Sequence, residues 1–131
     1  MTTARPFLMF QGNNAEEAMA FYVSLFEDGK VIDLIRYEPD GAGPPGSVMK
    51  ASFLIAGQVV MCTDSPIQHG FTFTPSFSLF VDCESEEEIN RLSSLLSERG
   101  ALLMPLGEYG FSRRFAWVSD RFGVSWQLNL P

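Results

Sequence analysis

The chain is 131 residues long, the size of one domain that buries roughly two-thirds of its unfolded surface and needs no disulfide or metal staple. Hydrophobic residues make up 46% of it, with 12 phenylalanines, so rings are available for a pocket as well as a core. Nine basic against 16 acidic side chains leave a net charge of −7, which excludes nucleic-acid binding by counterion release and disfavours anionic membrane surfaces.

Residues 1–6 lack a basic segment leading into an apolar one, and no apolar run is long enough to span a bilayer, so the expected location is the cytoplasm. Phe7 to Phe10 predicts a short apolar strand ending at Gln11-Gly12-Asn13-Asn14. A helix follows, with Asn13 or Asn14 as N-cap and Glu16 or Glu17 completing an approximate capping box. Ala18, Met19, Tyr22, Leu25 and Phe26 form its apolar stripe, and Gly29 is the expected C-cap. Val31 to Tyr37 predicts a strand. Residues 39–46 hold three prolines and three glycines, a connector or a lid. Val48 to Ile55 and Gln58 to Thr63 read as a hairpin turned at Ala56-Gly57. Cys62 and Cys83 sit in apolar, strand-like contexts and read as buried thiols rather than as a bridge or metal pair.

The second half repeats this order. Phe77 to Val81 predicts a strand, and Ser85 with Glu88 a capping box opening a helix striped by Ile89, Leu92, Leu95 and Leu96, with Gly100 at its end. Ala101 to Leu106 and Phe111 to Val118 are the next strands, joined by a loop at 107–110. After the turn Arg121-Phe122-Gly123, Val124, Trp126, Leu128 and Leu130 alternate with Ser125, Gln127 and Asn129. That period of two marks a strand with one apolar face and one amide-lined face. Such a polar row lines a cavity or meets water. The chain thus reads as one domain, 1–131, made of two βαβββ modules at 4–64 and 72–130.

Phe7-Leu8-Met9-Phe10-Gln11-Gly12-Asn13 leading into Ala18-Met19-Ala20-Phe21-Tyr22, together with Asp120-Arg121-Phe122-Gly123-Val124-Ser125-Trp126-Gln127, resembles the vicinal oxygen chelate superfamily. That superfamily includes glyoxalase I, bleomycin-resistance proteins and extradiol dioxygenases. The wording is most similar to its PhnB-like branch, often labelled 3-demethylubiquinone-9 3-methyltransferase. The resemblance implies an α+β fold in which two βαβββ modules form a curved mixed sheet with helices on the outer face. It also implies a homodimer.

By the same resemblance, metal-binding relatives draw one ligand from the first and last strand of each module. Those four places fall at or next to Phe7, Met61, Ser76 and Gln127. Phe and Met do not bind a hard or borderline cation, Ser is a poor ligand, and Gln127 alone does not hold one, so no metal is expected. The only histidine, His69, lies between the modules, where an exposed loop residue is the default. A methyl-donor site of the usual kind needs a parallel doubly wound sheet and a glycine-rich loop, and the chain carries neither signature. No cofactor is expected.

Alternation places Phe7, Met9 and Met61 on the inner face of the first module, and Ser76, Ser78, Phe115, Trp117 and Gln127 on that of the second. Arg113 meets either an anionic or carbonyl group of a ligand or an acidic neighbour. Lys50 and Glu108 are further polar candidates, and no nucleophile-base-orienter set is evident. These residues point to a metal-free protein that binds a small organic molecule. The alternatives are a metal-dependent glyoxalase- or dioxygenase-type enzyme, and an interaction module whose cavity is plugged by Phe7, Met61, Phe115 and Trp117.

Overall fold

Strand alternation and helix stripes sort the side chains into two sheets, each backed by one helix. A computed structural model describes all residues from Met1 to Pro131. The elements are β1 (Phe7–Phe10), α1 (Ala15–Leu25), β2 (Lys30–Arg36), β3 (Val48–Ile55), β4 (Gln58–Asp64), β5 (Ser78–Asp82), α2 (Glu86–Ser97), β6 (Ala101–Gly107), β7 (Arg114–Ser119) and β8 (Ser125–Leu130). The chain divides into two compact units, Met1–Thr72 and Phe73–Pro131. Each carries a four-stranded sheet, in the orders β1-β4-β3-β2 and β5-β8-β7-β6. In both sheets the first pair is parallel and the other two are antiparallel. The parallel pair requires a long crossover, and each unit's helix lies within it.

In the first unit Leu8, Phe10, Ala51, Phe53, Val60 and Cys62 are buried together with Ala18, Met19 and Tyr22 of α1. Strand phase puts the alternate residues on the opposite, open face: Phe7 opposite Met61, Met61 opposite Ser52, and Met9 opposite Thr63. In the second unit Trp126, Leu128, Ala116 and Val118 are buried with Ile89, Leu92 and Leu96 of α2.

The two helices start by different means. Ser85 accepts from the Glu88 amide at 3.1 Å as its N-cap place predicts, while the Glu88 carboxylate reaches one residue farther back than a capping box would, accepting from the Glu84 amide at 2.8 Å. At α1, Asn14 holds the N-cap position without a side-chain hydrogen bond, and Asn13 takes a left-handed φ of 56°. The cap comes from far along the chain. Asp64, 1% exposed at the end of β4, accepts from the Ala15 amide at 2.9 Å and the Val48 amide at 2.8 Å.

Gly29 and Gly100 are not left-handed C-caps, because neither has a positive φ; Arg99 takes that conformation after α2 instead. Their lack of a side chain serves close approach. A Cβ on Gly29 would lie 2.0 Å from the Val23 carbonyl oxygen, and one on Gly100 would lie 2.2 Å from that of Ser119. The β3–β4 turn behaves as its residues predict: Ala56 at φ 45° and Gly57 at φ 80° form a two-residue reverse turn. Asp28 holds it through 2.8 Å bonds from both amides.

The connector 39–46 is pinned rather than open-ended. The Gly46 amide donates to the Tyr37 carbonyl at 3.2 Å, Arg36 Nη1 donates to the Gly46 carbonyl at 2.9 Å, and Gly43 packs flat on the Tyr37 ring. Strand β7 starts at Arg114, so Phe111 and Arg113 belong to the loop before it.

Asp64→Ala strips the acceptor from two buried amides, and bonds to a charged group contribute about 1.5–3 kcal/mol each. The expected outcome is a loss of roughly 3 kcal/mol in urea unfolding, with a lower midpoint and an unchanged slope.

Candidate functional site

The open face of the second sheet is built from residues that stand opposite one another on adjacent strands. Ser78 pairs with Ser125 and Ser125 with Ser119; Phe80 pairs with Gln127 and Gln127 with Trp117; Asp82 pairs with Asn129 and Asn129 with Phe115. These side chains therefore form three rows across the sheet, all pointing away from α2.

The rows are joined by hydrogen bonds. Trp117 Nε1 donates to Ser125 Oγ at 2.9 Å, the Ser125 and Ser78 hydroxyls lie 2.7 Å apart, and Gln127 Nε2 donates to Ser78 Oγ at 3.3 Å. Farther along, Asn129 Nδ2 donates to Asp82 Oδ1 at 2.9 Å and its Oδ1 accepts from Ser112 Oγ. Alternation places Ser125 in the polar row with Gln127 and Asn129, but its role as the hub that joins Trp117 to Ser78 depends on the pairing of β8 with both neighbouring strands.

Beside the polar rows lies an aromatic cluster. Phe115 is packed edge-on by Phe111 at 4.9 Å and by Tyr109 at 6.3 Å between ring centroids, and Phe80 tilts over it at 6.4 Å. Phe115 is buried, yet Phe80 is 57% and Phe111 62% exposed. Tyr109 is braced by a hydrogen bond from its hydroxyl to the Pro105 carbonyl. Rings held in place while open to solvent are suited to stacking on a flat apolar group.

Of the other candidates, Ser76 lies before β5, exposed, with its hydroxyl 2.6 Å from Thr74 Oγ1. Arg113 is exposed and its Nε donates to the Pro131 carbonyl at 2.9 Å. Glu108 is exposed in the loop between β6 and β7. In the first unit Phe7, Met9 and Met61 share the open face of β1 and β4. Phe7 is 57% exposed, and Lys50 is exposed on the neighbouring strand. His69 is partly buried; its Nε2 lies 3.3 Å from Ser65 Oγ and its ring stacks on Phe71 at 4.9 Å. Gln11 holds this segment through the His69 amide and the Phe71 carbonyl. The Ser65 hydroxyl lies 2.7 Å from the Ile67 carbonyl, which takes its proton away from the imidazole.

Nowhere do three His, Cys, Asp or Glu side chains gather as a metal site would require. The donor set at the strand positions is no better. Phe7 stands opposite Met61, while Ser78 and Gln127 offer only neutral oxygens, a poor set for a divalent cation. At each helix start one amide is taken by a side chain of the protein itself. The Ala15 amide of α1 is taken by Asp64, and the Glu88 amide of α2 by Ser85.

Residues 2–129 match the family described as 3-demethylubiquinone-9 3-methyltransferase. The chain is similar to a putative 3-demethylubiquinone-9 3-methyltransferase, PhnB protein, from Bacillus cereus, at 50% identity and a TM-score of 0.95, covering 99% of this chain and 100% of that one. Protein YjdN of Escherichia coli (strain K12) is 29% identical over 95% of this chain and 92% of its own. Fosfomycin resistance protein FosX from Listeria monocytogenes shares the fold, at 13% identity and a TM-score of 0.65, covering 99% of this chain and 92% of that one.

Neither thiol supplies a nucleophile. Burial pushes Cys62 from an ordinary value near 9 up to about 12, with the Asp64 charge adding to it, and burial with the Glu88 charge pushes Cys83 to about 11. Both should resist a disulfide reagent at pH 8 in the native state and react in denaturant. Because the folded values are raised, the stability they contribute is complete below about pH 9 and is lost as pH rises through about 11 to 12. An alkaline unfolding series with and without Cys→Ala changes at both positions reads this directly.

Proposed function

The chain belongs to the 3-demethylubiquinone-9 3-methyltransferase family within the vicinal oxygen chelate superfamily, and from that premise we propose that it is a metal-free binding protein for a small, flat organic molecule. The observation that carries this reading is the exposed, braced aromatic cluster of Phe80, Tyr109 and Phe111 around Phe115, beside the Trp117–Ser125–Ser78–Gln127 chain. Apolar rings that give affinity, next to a few fixed polar groups that give orientation, are the composition of a ligand site. No catalytic step is assigned, because no nucleophile with a base stands on this face. Methyl transfer is not part of this reading.

The reading places the protein in the cytoplasm and includes assembly as a homodimer. No helix is long and apolar enough to cross a membrane. The edge strands β2 and β6 expose Val31, Ile32, Ile35, Leu102 and Leu103, apolar surface that a second copy would cover. Sedimentation should then show a particle of twice the 14.6 kDa chain mass; a monomer at every concentration removes the dimer.

Trp117 is a built-in reporter, since it is partly exposed on the site face while Trp126 is fully buried against Asp120. Bicyclic aromatic compounds should change its emission with saturation, and Phe111→Ala should weaken that binding roughly tenfold. Dialysis against a chelator should leave the affinity unchanged. Binding that appears only with added Zn, Mn, Ni, Fe(II) or Co would overturn the metal-free reading.

A further inference from the structure

The hydrogen bonds on the second unit's open face can be counted proton by proton, and the count specifies a ligand. Each serine hydroxyl has one proton and two lone pairs, and each amide has two N–H donors and a carbonyl. Ser125 Oγ accepts from Trp117, Ser78 Oγ accepts from Gln127, and one proton is shared between the two hydroxyls. If Ser78 donates that proton, the spare O–H belongs to Ser125, which is 2% exposed and out of a ligand's reach. If Ser125 donates it, both lone pairs of Ser78 are filled, by Gln127 and Ser125, and the spare O–H belongs to half-buried Ser78. Only the second arrangement lets a ligand use the proton. An incoming acceptor therefore selects it.

Gln127 supplies the complement. Its Nε2 is engaged with Ser78, while its Oε1 accepts from no group of the protein. The face thus presents an O–H donor from Ser78 beside a carbonyl acceptor from Gln127. Phe80 stands directly opposite Gln127 on the neighbouring strand, so a flat ring laid on it brings its polar edge to this pair. Charge narrows the class further. The open face of the strands carries the carboxylate of Asp82, Arg114 opposite Leu130 points to the other side, and Arg113, in the loop before β7, is turned to the chain end with its Nε on the Pro131 carbonyl. An anion laid on Ser78 and Gln127 would have Asp82 beside it and no strand cation to offset it.

Resting on the binding-protein reading above, we infer that this site is selective for a neutral aromatic amide or lactam, a flat ring bearing a carbonyl beside an N–H. The carbonyl accepts from Ser78 and the N–H donates to Gln127 Oε1. This pairing satisfies both spare groups at once. A ligand that covers this pair but lacks the N–H cuts the Gln127 carbonyl off from water without giving it a partner, which is the costly case for a hydrogen-bonding site.

The test uses four probes on the whole protein, followed by protein-observed amide NMR: a naphthamide, its N,N-dimethyl derivative, the corresponding naphthoate, and naphthalene. The naphthamide should bind with shifts at Ser78, Ser125 and Gln127, and N,N-dimethylation should weaken it roughly tenfold. Ser78→Ala should cost the naphthamide roughly threefold to tenfold and leave naphthalene unchanged. Gln127→Met keeps the shape but removes the acceptor, and should abolish the difference between the naphthamide and its dimethyl derivative. Because that readout is a ratio within one protein, it survives a change in stability. Equal binding of the naphthamide and its dimethyl derivative, or tighter binding of the naphthoate, overturns the inference and leaves the aromatic site standing. If none of the probes binds, the proposed function falls as well.

Discussion

One buried carboxylate fixes which side chains β8 turns to the open face of its sheet. Asp120, 3% exposed, accepts from the Phe122 amide at 2.8 Å and the Val124 amide at 3.1 Å through Oδ1, and from Trp126 Nε1 at 2.9 Å through Oδ2. It therefore holds the turn into β8 and the first large apolar side chain of that strand with one group. Side chains alternate with a period of two, so slipping β8 by one residue would turn Trp126 and Leu128 outward and Ser125 and Gln127 into the core. The turn needs Gly123 at φ 90°, which keeps the two backbone donors pointing at the carboxylate. Everything on the open face of the second sheet inherits its position from this anchor.

The two units solve the same local problems with different residues. A helix start leaves backbone donors without partners, and α2 fills one locally, the Glu88 amide through Ser85, while the Glu88 carboxylate holds the Glu84 amide ahead of the helix. The first unit fills one with Asp64, which simultaneously takes the leading amide of β3. That choice ties β4, β3 and α1 at one point, and Tyr37 adds its hydroxyl to the Asp64 carbonyl at 2.9 Å. The same-place glycines Gly29 and Gly100 show the reverse: both exist because a backbone passes too close for a Cβ, but the backbone is α1 in one unit and β7 in the other.

These differences explain what could be read from the residues and what could not. Strands β3, β4 and β8 are legible because their alternation is clean, and the Ser85 cap on the Glu88 amide is legible because it is local. The reading of Phe111 to Val118 as one strand erred at its beginning because aromatic alternation continues through residues that fold as a loop; Phe111 reaches Phe115 by packing back on it rather than by strand phase. Asp64 as the cap of α1 was invisible, since its partner is 49 residues away and Asn13 and Asn14 offered the local signature. The candidate site was legible in part for the same reason. Gln127, Ser125, Trp117 and Ser78 each follow from alternation along their own strand, whereas the bonds that join them need the register of β5, β8 and β7.

The electrostatics of that register also bear on the kind of group this face can meet. Trp117 and Gln127 both aim the positive end of an N–H dipole at the two serine oxygens. A cation using those oxygens would have to displace two such bonds, because their lone pairs are already directed at donors. An uncharged acceptor faces no such competition: it meets the remaining hydroxyl proton, whose hydrogen-bonded neighbours polarise it further in the same direction.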